Sequence, residues 1–141
     1  MKELRVLVDS NVLLDIFSEG ENWFQWSSAA LSDCAESMTL CINPVIYAEV
    51  SIGFKRIEEL EDALPTNYFI YTRIPYEAAF LAGKCFLRYR RAGGKKRSPL
   101  PDFFIGAHAA VEKMSLLTRD TARYRTYFPG LDIIAPPAQS S

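Results

Sequence analysis

The chain has a single histidine, His108, and only three cysteines, Cys34, Cys41 and Cys85, none in a CxxC spacing. An odd number of unspaced cysteines argues against a disulfide framework and reads as apolar packing in a reducing compartment. The scarcity of both residue types also removes the usual nitrogen and sulfur ligand sets of a zinc site. No run approaches the ~18 apolar residues of a membrane-spanning helix. The opening MKELRVLVDS is too charged, and its apolar stretch too short, for the core of a secretion signal. A cytoplasmic location is therefore expected. No repeat or linker interrupts the 141 residues, a length suited to one core that buries roughly 68 to 70% of the unfolded surface. A dominant charge is lacking too. Sixteen Lys and Arg stand against seventeen Asp and Glu, for a formal net charge of −1, so composition alone does not announce a nucleic-acid binder.

What is present is the mix of a soluble globular protein, 49% hydrophobic and 23% charged. Short apolar runs alternate with segments of helical periodicity. Leu4 to Val8 reads as a buried strand ending at an acid, after which Ser10 or Asn11 can cap a helix carrying Val12, Leu13, Ile16 and Phe17. A second helix is expected over Trp23 to Glu36, then a strand over Met38 to Ile42. Asn43-Pro44 supplies an N-cap followed by proline at the first helical position, and Glu49 lies about two turns into that helix.

Lys55 to Leu64 reads as a charged helix closed by Pro65, and Tyr68 to Ile74 as a strand. From Pro75 a longer helix carries the stripe Ala78, Ala79, Ala82, Cys85, Phe86 and Tyr89 and ends at Gly93-Gly94. After a loop from Ser98 to Pro101, Asp102 opens a helix to about Lys113. Leu116 to Thr118 is a short strand leading to Asp120, followed by a helix near Thr121 to Phe128 and a strand at Leu131 to Ile134. This alternation predicts an α/β fold with a mostly parallel sheet between helical layers. Functional groups in such sheets gather beyond the carboxyl ends of the strands. Asp9 and Asp120 fall there, and Glu49 and Asp102 lie on helices that begin on the same side, so the four acids can converge.

Convergence has an electrostatic cost, because two like charges about 4 Å apart repel by roughly 4 kcal/mol at an effective dielectric of 20. A cation must offset it. An oxygen-only donor set suits Mg²⁺ or Mn²⁺, ions that can activate water and screen the charge of a phosphoryl transition state. The segments VLVDSNVLLD, INPVIYAEV, PLPDFFIGAHA and LLTRD resemble, in order and spacing, the four acidic motifs of the PIN-domain ribonucleases. The likeness runs from about Leu4 to Ile134. In size, and in LPDFFIGAHA and LLTRD, it is particularly similar to the VapC-type toxins of toxin–antitoxin pairs.

That resemblance implies a PIN-like three-layer α/β/α sandwich over residues 1–135 with a flexible tail at 136–141. It implies a Mg²⁺- or Mn²⁺-dependent endoribonuclease, commonly a homodimer, silenced by an antitoxin whose tail enters the active site. Asp9, Glu49, Asp102 and Asp120 then take the catalytic and metal-binding positions. Asn11 and Thr118 take the polar positions beside the first and fourth acids.

Other readings of these residues stand beside this one. Asp9 can start a turn, and Asp102 and Asp120 suit helix N-termini; Glu49, between Ile46 and Val50 on an apolar helix, is harder to explain unpaired. His108 reads as a histidine packed on a helix face. Arg88, Arg90, Arg91, Lys95, Lys96 and Arg97 place six positive charges in ten residues, either a solvated helix end or a contact for the RNA backbone, to which Arg119, Arg123 and Arg125 can add. Trp23, Trp26 and Tyr47 can serve packing or base stacking. An aspartyl-phosphate phosphatase also sets an aspartate after the first strand, but it needs a second aspartate two residues on, where this chain has Asn11. A non-toxin RNA-processing nuclease and a silent RNA- or antitoxin-binding module remain as alternatives, the last disfavoured by the complete acidic set.

Overall fold

A computed structural model describes residues 4–19, 22–97 and 100–137. Five strands form one parallel sheet: β1 (Arg5–Val8), β2 (Thr39–Ile42), β3 (Phe69–Tyr71), β4 (Ser115–Leu117) and β5 (Ile133–Ile134), in the order β3-β2-β1-β4-β5. Between them run α1 (Ser10–Phe17), α2 (Phe24–Ser37), α3 (Pro44–Ser51), α4 (Ile57–Ala63), α5 (Tyr76–Arg91), α6 (Pro101–Val111) and α7 (Ala122–Tyr127). The inner strands are short, continuous apolar runs with Val6, Leu7 and Val8 wholly buried. That is the pattern of parallel strands covered on both faces.

Strand order fixes the layers. Parallel crossovers are right-handed, so the two steps from β1 to β2 to β3 carry α1 to α4 over one face. The return from β3 to β4, and the step on to β5, carry α5 to α7 over the other. The result is a three-layer α/β/α sandwich, in which α1 packs on α2 and α6 lies against β1 and β4. The direction of travel reverses between β1 and β4, so the connections that leave their carboxyl ends diverge over opposite faces and open the crevice of an open α/β sheet. Asp9 follows β1, and Thr118 to Asp120 follow β4. The backbone N–H of Asp9 still donates to the Leu117 carbonyl at 2.9 Å, so the two chain exits are pinned side by side.

Local chemistry accounts for most boundaries. Asn43 caps α3, its Oδ1 accepting from the Ile46 N–H at 2.9 Å with Pro44 at the first position. Gly93 just beyond α5 has φ +97°, a conformation glycine adopts without a Cβ clash. Gly106 is required by close approach, since a Cβ there would meet the Phe128 ring at 2.4 Å.

The cap of α1 corrects the sequence-based expectation. It is Asp9, whose side chain accepts from the Ser10 N–H, and not Ser10 or Asn11. Asp102 occupies the second position of α6, after Pro101 and an extended Leu100. The expected strand over Tyr68 to Ile74 narrows to three residues at the sheet edge. Residues 138–141 of the expected flexible tail, and Ser98 and Pro99 of the loop before α6, lie outside the described residues. No helix of the described residues is long and apolar enough to cross a membrane.

Candidate active site

Asp9 is only 4% exposed and carries a dense set of donors at the carboxyl end of the central strand. Its Oδ1 accepts from the Ser10 N–H at 2.8 Å, and its Oδ2 accepts from the Thr118 hydroxyl at 2.8 Å and the Tyr124 hydroxyl at 2.9 Å. The Ser10 hydroxyl lies 3.5 Å from Asp9 but 2.9 Å from Glu49 Oε1, and so donates to Glu49. Ser10 thus bridges the first two acids. Tyr124 lies 3.3 Å from Asp102 Oδ1 and bridges the first and third. Asp120 sits outside these bridges: its side chain is exposed, and its backbone N–H meets the Thr118 hydroxyl at 3.3 Å. Asp102 and Asp120 share the wall of an open surface cavity of about 490 Å³ with Tyr89, Arg123 and Tyr127.

All of these bridges are neutral donors, and the electrostatics follow from that. Burial pushes the Asp9 carboxyl above its ordinary range, against the lowering effect of the Thr118, Tyr124 and Ser10 hydrogen bonds. Glu49 is raised by burial, opposed by its Ser10 bond, and raised further by the charges of Asp9 and Asp102. Asp102 is raised by burial and by Asp9, with Arg123 and Tyr124 opposing and Asp120 adding to the rise. Among the described residues the cation that meets these acids is Arg123, whose Nη1 stands 3.8 Å from Asp102 Oδ2 with both side chains a little over a third exposed. Tyr124 is driven far above the ordinary phenol range by burial and by Asp9 and Asp102, so its hydroxyl stays a donor.

Among the described residues no three His, Cys, Asp or Glu side chains stand grouped so as to hold a metal ion. The chemistry of the donor set nonetheless fits a hard divalent cation. The donors are all carboxylate oxygens, they come from different elements, and three of them are held in mutual repulsion.

Asn11 and Thr118 meet beside the acids. Asn11 Nδ2 donates to the Thr118 hydroxyl at 3.2 Å, and Asn11 Oδ1 accepts from the Arg119 N–H at 3.2 Å. His108 is packed as its helix position suggests: it is 1% exposed, burial lowers its pKa, and Asn43 Nδ2 donates to its Nδ1 at 3.0 Å. That contact leaves the ring neutral with its proton on Nε2.

Arg88, Arg90 and Arg91 form the last turn of α5, where positive charge complements the helix dipole. Arg90 Nη1 donates to the Lys96 carbonyl at 2.8 Å and folds the loop back on the helix, while Lys95, Lys96 and Arg97 are exposed. Trp23 and Trp26 pack edge to face, and the Arg119 guanidinium lies 5.3 Å from the Trp23 ring centre. Tyr47 packs against Tyr71 at 5.9 Å.

Two features escaped sequence reasoning. Tyr124 has the apolar spacing of an ordinary core residue on a short helix, and nothing local marks its hydroxyl. Asp15 is one helical turn beyond Asn11, buried, and clasped by Arg119 at 2.8 and 3.1 Å and by the Ser27 hydroxyl at 2.9 Å. Its helical setting hid the pairing, which spans 104 residues.

Whole-chain comparison agrees with this architecture. VapBC2 from Rickettsia felis, in a structure bound to a DNA fragment from their promoter, matches with a TM-score of 0.71 at 17% identity. That match covers 94% of this chain and 98% of the other. A toxin–antitoxin complex from Klebsiella pneumoniae matches with a TM-score of 0.67 at 25% identity, covering 92% and 95%. VapBC-1 from nontypeable Haemophilus influenzae matches with a TM-score of 0.70 at 15% identity, covering 94% and 98%. No curated protein gives a significant sequence match. A family model for the PIN domain, however, matches residues 6–129, and the chain belongs to the PIN domain family.

Proposed function

We propose that this chain is a divalent-metal-dependent endoribonuclease and the toxin of a VapBC-type toxin–antitoxin pair. The observation that carries the catalytic half is the linkage of Asp9, Glu49 and Asp102 through Ser10 and Tyr124, neutral donors that leave the charge of Asp9 and Glu49 without a cation and that of Asp102 with only the half-exposed Arg123. Evolution tolerates such a conflict where function needs it. The toxin half is supported by the solved neighbours, which are themselves VapBC and toxin–antitoxin complexes.

In this reading Asp9, Glu49, Asp102 and Asp120 hold Mg²⁺ or Mn²⁺. The bound ion supplies Lewis acidity, lowering the pKa of water and screening the charge that builds on the phosphate in an in-line displacement. Thr118 and Ser10 fix the carboxylates, and Asn11 holds the Thr118 hydroxyl and the Arg119 backbone so that the loop bearing Asp120 keeps its place. Arg88, Arg90, Arg91, Lys95, Lys96 and Arg97 bind the RNA backbone beside the cavity, with affinity that falls steeply as salt rises. A homodimer acting in the cytoplasm, and an antitoxin that sets a basic side chain among the acids, complete the proposal. An anionic pocket is a ready receptor for such a group.

The test is cleavage of a structured RNA by protein freed of contaminating nuclease. Cutting with Mg²⁺ or Mn²⁺ and none in EDTA is expected, and undiminished cutting in EDTA would overturn the metal-dependent reading. Growth arrest on expression of the chain alone, relieved by co-expression of a partner encoded beside it, tests the toxin reading. Normal growth with soluble, active protein would count against it.

A further inference from the structure

Tyr124 is 1% exposed and among the largest fully buried side chains of the molecule. Burying a hydroxyl costs free energy that the ring of a phenylalanine would not incur, so the hydroxyl needs its own explanation. Its surroundings supply one. The oxygen lies 2.9 Å from Asp9 Oδ2 and 3.3 Å from Asp102 Oδ1, and those carboxylates come from the end of β1 and the start of α6. Its single proton is thus shared between two acids carried by different elements. Asp9 Oδ2 already accepts from Thr118 at 2.8 Å, so the Tyr124 bond fills its remaining lone pair and directs Asp9 Oδ1, with only the Ser10 N–H in close contact, toward any ligand. Arg123, the neighbouring residue, meets the other oxygen of Asp102 at 3.8 Å. Asp102 is therefore held on both oxygens by adjacent residues of one short helix.

We propose that Tyr124 is a positioning residue of the cation site, using one hydroxyl to set the orientation of Asp9 and the separation of Asp9 from Asp102. It touches neither cation nor RNA and acts through the two carboxylates. The inference rests on the reading of the four acids as a divalent-cation site. A partner that orients a metal-binding carboxylate typically contributes 10- to 100-fold to metal affinity, and this hydroxyl orients two.

The experiment compares Mn²⁺ binding to wild type, Tyr124→Phe and Tyr71→Phe by the loss of the free Mn²⁺ paramagnetic resonance signal, with no RNA present. Tyr71 is the control, since its hydroxyl donates to the Leu64 carbonyl at 2.7 Å and serves β3 and α4. Tyr124→Phe is expected to raise the Mn²⁺ dissociation constant by about tenfold or more, and Tyr71→Phe to leave it unchanged. Equal affinity for wild type and Tyr124→Phe would overturn the proposal while leaving the cation site standing. Absence of Mn²⁺ binding by wild type would overturn both. A second measurement needs no variant. Saturating Mg²⁺ should perturb the near-ultraviolet tyrosine absorbance of wild type, because the phenol shares its proton with the ligands, and an unmoved spectrum would also overturn the proposal.

Discussion

Two buried aspartates lie six positions apart in the same strand-to-helix unit, and the protein treats them in opposite ways. Asp15 is met by a bidentate guanidinium from Arg119, itself stacked over Trp23, and by the Ser27 hydroxyl. Its charge is matched, and it staples α1 and α2 to the segment after β4. Asp9 is met by an amide and two hydroxyls, all of them neutral, while burial works against its charge. A carboxylate kept for structure is given its counter-charge in advance. In the proposed function Asp9 is a carboxylate kept for a ligand, oriented by neutral donors and left with its charge unmatched.

The comparison would be broken most severely by activity data on the two acids. Asp9→Asn is expected to lower RNA cleavage by about three orders of magnitude or more, the scale seen when one member of a jointly acting catalytic set is removed. Asp15→Asn should retain cleavage to within about tenfold, because its effect reaches the site only through the Arg119 loop. Equal losses would erase the distinction.

Stability should rank the same two positions the other way. Asp15→Ala strips the partner from a half-buried guanidinium and is expected to destabilise the fold by about 2 kcal/mol, a figure discounted for the partial exposure of Arg119. The loss is measurable as a lower midpoint in urea. Changing Lys95, Lys96 and Arg97 together to Ala should leave stability within about 0.5 kcal/mol. It should also flatten the dependence of RNA affinity on salt by about 0.7 in log–log slope for each phosphate the variant no longer neutralises. A wild-type slope in that variant would assign the segment to helix capping alone.

The smallest expected effect concerns pH. Asp102 holds its proton more tightly folded than unfolded, so the folded state carries more bound protons as pH rises through and above the ordinary carboxylate range. The stability contributed by Asp102 therefore falls as pH rises from about 4. Asp102→Asn lacks this loss. In EDTA, the stability of the variant relative to wild type should climb as pH rises from about 4 and level off once Asp102 of the folded wild type has ionised. Urea titrations at several pH values check this, and a gap that stays constant with pH would remove Asp102 from the set of strained acids.

The frame of the fold was readable because it follows from short-range rules. Asn43-Pro44 announces α3, continuous runs such as Leu4 to Val8 announce buried parallel strands, and alternation of strand and helix dictates the layers. The three acids linked by hydroxyls were readable as candidates because each lies near the end of a strand or along a helix that starts there. What sequence could not supply was pairing across distance. Tyr124 reaches Asp9 across 115 positions and Arg119 reaches Asp15 across 104, and neither pair leaves a local period or spacing. The identity of the α1 cap was missed for a related reason: Asp9 caps α1 through Oδ1 while its Oδ2 takes the Thr118 and Tyr124 hydroxyls, so one residue serves both the helix and the carboxylate cluster. Asp120 is the acid on which the structure adds least, since its side chain remains exposed and outside the hydroxyl bridges.

The central claim, that charge at this edge of the sheet is held unmatched for a divalent cation, is tested most directly by thermal melting of wild type and Asp102→Asn, each in EDTA and in millimolar-range Mg²⁺. In EDTA the Asn variant should melt at the same temperature as wild type or higher, because one of the repelling charges is gone. In Mg²⁺ the ranking should reverse, since the ion stabilises the folded wild type by mass action and the variant lacks a ligand. An Asn variant that is clearly less stable in EDTA, and that gains from Mg²⁺ as much as wild type does, would contradict the account and leave Asp102 as an acid serving only the N-terminus of α6.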